Sequence, residues 1–171
     1  ATPSRCDRRK RLRSGSRTAL VVAAETPRGR LFGVGWLLRK LEIEPGKVVA
    51  PDALTSDTAP TQAVRGVQIG YRHKNNSYDA WTLAMFERRV RDIAIFGGNT
   101  IQVIAPVSDD ALTSPLFPAP PLETIVGLSA LADRYGLDFA LYYPQLAKDY
   151  GDPAAVAAEL KSFEALVRRL P

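Results

Sequence analysis

Three short stretches concentrate the side chains able to do chemistry. The first holds Tyr71, Arg72, His73, Asn76, Tyr78, Asp79 and Trp81, so a guanidinium, an imidazole, an amide, a carboxylate and aromatic rings fall close together. The second is the pair Asp109-Asp110, and the third is Tyr143 with Gln145 and Asp149 nearby. Arginine offers paired donors in a rigid plane, suited to two adjacent oxygens on a ligand. Trp81 and Tyr143 offer flat apolar faces on which a ring-shaped ligand can stack. The plainer role for Tyr78 and Trp81 is packing at the start of a helix, since aromatic rings dominate cores. His73 has no evident carboxylate partner and reads as a loop histidine before a general base. Asp109 and Asp110 are adjacent and point in different directions, so they read as solvated loop surface before a catalytic pair. None of these residues is assigned an acid–base role.

The totals exclude several classes. A lone Cys6 and a lone His73 leave no internal disulfide and no cysteine or histidine metal cage. Carboxylate-only metal sites have no signature, no phosphate-binding glycine spacing follows a strand, and no cofactor is expected. No apolar run approaches membrane-spanning length, so no membrane partner is expected. The net charge of +5 is unevenly spread. Residues 1–17 hold seven arginine or lysine residues against Asp7 alone, which leaves the rest slightly acidic. The basic character therefore belongs to a tail, expected to be disordered or non-native. Nucleic acid is not expected as a partner, and that tail is the one place that could bind it, because the remainder shows no basic face interleaved with aromatics.

The elements that must position these residues follow from periodicity. Val64–Tyr71 reads as a strand that breaks into the polar segment His73–Asp79. Leu83, Phe86, Val90, Ile93 and Ala94 recur at helical spacing, and Gly97-Gly98 stops the helix. Ile101–Ala105 is a second strand, closed by Pro106. A long proline-containing loop, Val107–Pro121, leads to a helix over Leu122–Tyr135 that ends at Gly136. Phe139–Tyr143 is a third strand, and Asp152-Pro153 caps a last helix carrying Val156, Leu160, Phe163, Leu166, Val167 and Leu170 inward. Before this core, Thr18–Ala24 reads as a strand and Thr26-Pro27-Arg28-Gly29 as a turn. A helix over Leu31–Leu41 then sets Leu31, Val34, Leu37, Leu38 and Leu41 on one side. Glu42–Pro51 reads as a hairpin about Pro45-Gly46. Residues 52–63 show no periodicity and are expected to be a linker.

The expected class is α/β, with three consecutive βα units over residues 64–171. Parallel strands need such crossovers, and an eightfold barrel needs about 200 residues or more. Three units leave a sheet edge and an apolar face open, so the chain is expected to be truncated.

These residues also carry a resemblance. Arg28, Gly29, Gly33, Leu37 and Leu38 resemble the pattern near the end of the small α/β domain preceding the barrel in bacterial β-N-acetylhexosaminidases and α-glucuronidases. Arg65-Gly66, Arg72, Asn99 and Asp109-Asp110 are similar, in order and spacing, to positions on the first two barrel strands of the same glycosidases. The second strand departs from the hexosaminidase pattern, reading Thr100-Ile101-Gln102-Val103-Ile104 where histidines are usual. The resemblance implies a partial (β/α)8 barrel over residues 64–171, preceded by the end of an accessory domain over residues 18–51. It implies a parent enzyme that hydrolyses O-glycosidic bonds, with its catalytic carboxylates on later strands. Sites in such barrels gather where strands end and loops begin. That makes Tyr71, Arg72, Asn76, Tyr78, Asp79, Trp81, Asp109, Asp110 and Tyr143 candidates for carbohydrate contacts. Arg65 is a further candidate by resemblance, although strict alternation places it on the face of Val67 and Ile69, away from Gln68 and Arg72. Two rivals remain: a non-catalytic interaction module with a nucleic-acid-binding tail, and a small α/β domain with sugar-isomerase-like chemistry. The second lacks metal ligands.

Overall fold

A computed structural model describes residues 6–14, 17–69, 77–104, 118–143 and 147–171. Among these residues the chain is mixed α/β, with four helices, a parallel three-stranded sheet and two small antiparallel sheets. It divides into two compact units. One comprises Ala1–Arg65 with Asp92–Asn99, and the other Gly66–Arg91 with Thr100–Pro171.

In the first unit, β1 (Cys6–Ser14) and β2 (Arg17–Val22) form an antiparallel ladder, with Arg9 opposite Val22 and Ser14 opposite Arg17. Residues expected as a basic tail therefore include a strand. The ladder is a backbone interaction, and β2 supplies the β-prone partner Leu20-Val21-Val22 whatever side chains β1 carries.

The next element, α1 (Pro27–Leu38), begins a turn earlier than its apolar pattern suggests. The Thr26 hydroxyl accepts the Gly29 N–H at 3.0 Å, and Pro27 occupies the first turn. The Thr-Pro pair expected as a turn is thus a helix cap. The buried face of α1 also differs from the expected one. It comprises Gly29, Phe32, Gly33 and Gly35, while Val34 and Leu38 are exposed. A Cβ on Gly35 would collide with the Ile95 carbonyl oxygen and would lie 2.7 Å from the Ile95 Cα. Backbone approach, not leucine burial, selects the inward side of this helix. Beyond it, β3 (Glu42–Glu44) and β4 (Lys47–Val49) make the hairpin about Pro45-Gly46, with Gly46 at φ +75°. The expected linker contains β5 (Ser56–Thr58), which pairs antiparallel with β1, and Leu54, which is buried.

The second unit is built on β6 (Gly66–Ile69), β7 (Thr100–Ile104) and β8 (Asp138–Tyr142). They are parallel and adjacent in chain order, with Gly66, Thr100 and Asp138 in register. The connections carry α2 (Leu83–Ile95) and α3 (Pro121–Arg134), and α4 (Pro153–Val167) follows β8. Ile69, Ile101 and Val103 are buried on one sheet face, as alternation requires. On the other face the Gln68 side-chain amide donates to the Gln102 side-chain oxygen, Oε1, at 3.2 Å.

The first two of these helices lie against each other. Leu83 of α2 fills the space over Gly127 of α3, and Glu87 pairs with Arg134 at 3.3 Å and accepts the Tyr135 hydroxyl at 2.9 Å. Both stop in the same way. Gly97 (φ +86°) and Gly136 (φ +66°) adopt left-handed backbone, and the next residue donates back to Ile93 and Ala132 respectively, each at 2.8 Å. The fourth helix is capped by Asp152, whose carboxylate accepts the Ala154 N–H at 2.9 Å. Of the six α4-region residues expected inward, only Leu166 is buried; Leu160, Phe163 and Val167 are exposed. The pattern marks a face able to be buried, and among the described residues little covers it.

Candidate binding pocket after the third parallel strand

Of the sequence-derived candidates, Tyr71, Arg72 and Asn76 lie outside the described residues, as do His73, Asp109 and Asp110. Those within them fall into three places.

Arg65 immediately precedes β6, at the N-terminal end of the strand. Its Nε donates to the Gly97 carbonyl at 2.9 Å and one terminal nitrogen donates to Gln62 O at 2.6 Å. The guanidinium lies over the Phe32 ring, 5.4 Å from its centroid.

 The same unit holds two further cation–ring contacts among the described residues, Arg39 over Phe96 at 5.1 Å and Lys40 over Trp36 at 5.8 Å. Burial, and secondarily the charge of Arg28, push the Arg65 pKa below its ordinary value. Beside it, Asn99 accepts the Arg65 N–H at 2.8 Å, donates to Ala63 O at 2.7 Å, and returns its own N–H to Arg65 O at 2.9 Å. The structure thus occupies Arg65 and Asn99 with backbone groups.

Tyr78 and Asp79 belong to a short 3-10 turn, Ser77–Ala80, ahead of α2. Tyr78 meets Trp81 edge to face at 4.6 Å between centroids, and Trp81 meets the buried Phe86 at 5.4 Å. This is helix-start packing of the kind the sequence allows.

Tyr143 follows directly on β8, at its C-terminal end. Its ring meets Phe163 of α4 at 4.9 Å with an interplanar angle of 61°. With Tyr150, Val156, Glu159 and Leu160 these two rings line a pocket of about 240 Å³. Ligand pockets for drug-sized molecules run to roughly 300–1,000 Å³, so this one suits a single ring or a small head group. Glu159 is fixed there through one oxygen, which accepts the Ala147 N–H at 2.9 Å and the Tyr150 hydroxyl at 3.2 Å. Burial and then the Glu159 charge push both phenols, Tyr143 and Tyr150, above their ordinary pKa.

Glu159, Tyr150 and Phe163 are site residues that the sequence reading did not select. The available signal is Glu159 itself, a carboxylate inside the otherwise apolar stripe Val156, Leu160, Phe163.

The raised phenols have a pH consequence. A phenol whose folded pKa lies above its unfolded value of about 10 favours the folded state below that pH, and the contribution is lost as pH rises through the folded value. Tyrosinate absorbance should show late-titrating phenols in the folded chain, and stability should fall above pH ~10. Tyr143→Phe should lessen that alkaline loss; an unchanged pH profile would mean that Tyr143 does not sense its surroundings in this way.

Among the described residues no group of three or more histidine, cysteine, aspartate or glutamate side chains is placed to hold a metal ion. No helix among them is long and apolar enough to cross a membrane. No protein-family model and no curated protein matches the chain.

Proposed function

We propose that this chain is a carbohydrate-binding part of a glycoside hydrolase-like β/α protein, supplying sugar contacts while acid–base catalysis falls to later strands. The observation that carries this reading is the pocket after β8. Ligands of parallel β/α folds bind beyond the carboxyl ends of the strands, and Tyr143 stands at such an end. Its lining suits a sugar: aromatic rings for the apolar face of a pyranose, and a carboxylate and phenols for its hydroxyls. The described pocket holds one carboxylate, whereas glycoside hydrolysis of the usual kind takes two. Binding is therefore the role proposed for it.

The partial-barrel reading draws support from the same unit. The parallel order β6-β7-β8, each strand followed by a helix, is the repeating unit of a barrel. Val167 of α4, exposed and outside the pocket lining, is apolar surface that a further βα unit would cover.

The test is a titration of the full chain with methyl glycosides of neutral, N-acetylated and uronic sugars, followed by NMR of aromatic side chains. Dissociation constants near 1 mM, or about −4 kcal/mol, are expected for one small pocket. Tyr143→Ala should weaken binding about tenfold, the scale of one lost aromatic contact. Should no glycoside perturb Tyr143, Tyr150 or Phe163 in a folded chain, the carbohydrate reading fails.

A further inference from the structure

Three aromatic residues and a carboxylate line the pocket after β8, and this combination distinguishes among ligands that a ring alone would accept alike. A π face attracts positive charge, and so does a carboxylate. The two attractions act together on a cation, and both oppose an anion. A neutral pyranose uses the rings but gains from Glu159 only as a hydrogen-bond acceptor.

The position of Glu159 is fixed by the Ala147 N–H at 2.9 Å and the Tyr150 hydroxyl at 3.2 Å. Donors of this kind favour the ionised carboxylate. Its charge is felt at both Tyr143 and Tyr150, whose pKa values it helps to raise. Tyr143 and Phe163 meet at 61°, edge to face, so the pair leaves ring faces that are not stacked on one another. The volume of about 240 Å³ admits a head group of one ring or less.

We infer that the pocket formed by Tyr143, Tyr150, Phe163 and Glu159 takes a positively charged amine head, so that its saccharide is an amino sugar in preference to a neutral sugar or a uronate. The choice of a sugar rests on the carbohydrate reading above; the preference for an ammonium group rests on the lining itself.

The experiment titrates the full chain with methyl glucosaminide, methyl N-acetylglucosaminide, methyl glucoside, methyl glucuronide and tetramethylammonium chloride, read by NMR of the pocket aromatics. The amine-bearing sugar should bind about tenfold tighter than the glucoside at low salt, with the glucuronide weakest. That advantage should shrink as salt is added. Glu159→Gln retains an acceptor for Ala147 and Tyr150 and should abolish the preference. Phe163→Leu, an independent variant, should weaken tetramethylammonium while keeping an apolar side chain in place.

Equal binding of glucosaminide and glucoside, or a preference that survives Glu159→Gln, overturns the inference and leaves the carbohydrate reading standing. Binding of tetramethylammonium with none of the sugars supports the ammonium site and overturns the carbohydrate reading. If none of the five probes binds, both fail.

Discussion

Asn99→Leu lowers the stability of the N-terminal unit by about 3 kcal/mol. Asn99 is 7% exposed, and its side chain closes two backbone groups at once, accepting from Arg65 N–H and donating to Ala63 O. Leucine is of similar size and keeps the backbone bond from Asn99 N–H to Arg65 O, so the change isolates the amide. It leaves one donor and one acceptor without their partner in a partly buried place. Each such group costs about 1–3 kcal/mol, so two cost about 2–6 kcal/mol, and partial hydration holds the sum to the lower half of that wider range. Urea midpoints measure the loss, and amide exchange at Arg65 gives the local readout, since that N–H should exchange faster. A loss below about 1 kcal/mol would mean that water replaces the amide at no net cost, and that this bridge does not hold the unit together.

Asn99 also shows what was legible in the sequence and what was not. Its place after a helix and before a strand is a local property, readable from Gly97-Gly98 on one side and the apolar run of β7 on the other. Gly136 and Asp152-Pro153 are readable for the same reason, because caps depend on residues within one turn. The partners of Asn99 are 34 and 36 residues away, and no spacing announces them. The same division runs through the pocket. Tyr143 can be placed at a strand end from its neighbours alone, whereas Glu159 and Phe163 reach it from α4. Arg65 reads in the sequence as a residue at the start of a strand, whereas the structure begins that strand at Gly66 and sets the Arg65 guanidinium over Phe32 and on the carbonyls of Gln62 and Gly97.

In α1 the sequence signal points the other way, because hydrophobic periodicity counts side chains and is blind to the absence of one. Val34 and Leu38 attract the assignment of a buried face, but Gly35 lies where another backbone must pass. α4 fails for the opposite reason. Its stripe is apolar, but burial takes a partner surface, and Leu166 alone of its residues is buried.

Gly35→Ala tests that backbone passage directly, and two effects of opposite sign compete. Alanine in a helix interior is favoured over glycine by about 1 kcal/mol, so propensity alone predicts stabilisation. Against it, the new Cβ would meet the Ile95 carbonyl oxygen and lie 2.7 Å and 2.8 Å from the Ile95 Cα and carbonyl carbon. These are backbone atoms that cannot rotate away. Overpacking of this kind costs about 1–3 kcal/mol and sometimes more, and here the yielding element is a helix end. The same Ile95 oxygen accepts from the Arg39 guanidinium, so moving α1 also disturbs that bond. The net expectation is a loss of about 2 kcal/mol, seen as a lower urea midpoint. Gly127→Ala is the control, since it gains the same helix propensity but meets only the side-chain end of Leu83, which can turn aside. Its effect should lie near zero. The difference between the two substitutions removes propensity and leaves the contact. If Gly35→Ala instead stabilises the chain as much as Gly127→Ala or more, α1 does not run against Ile95, and the glycine face is not what orients it.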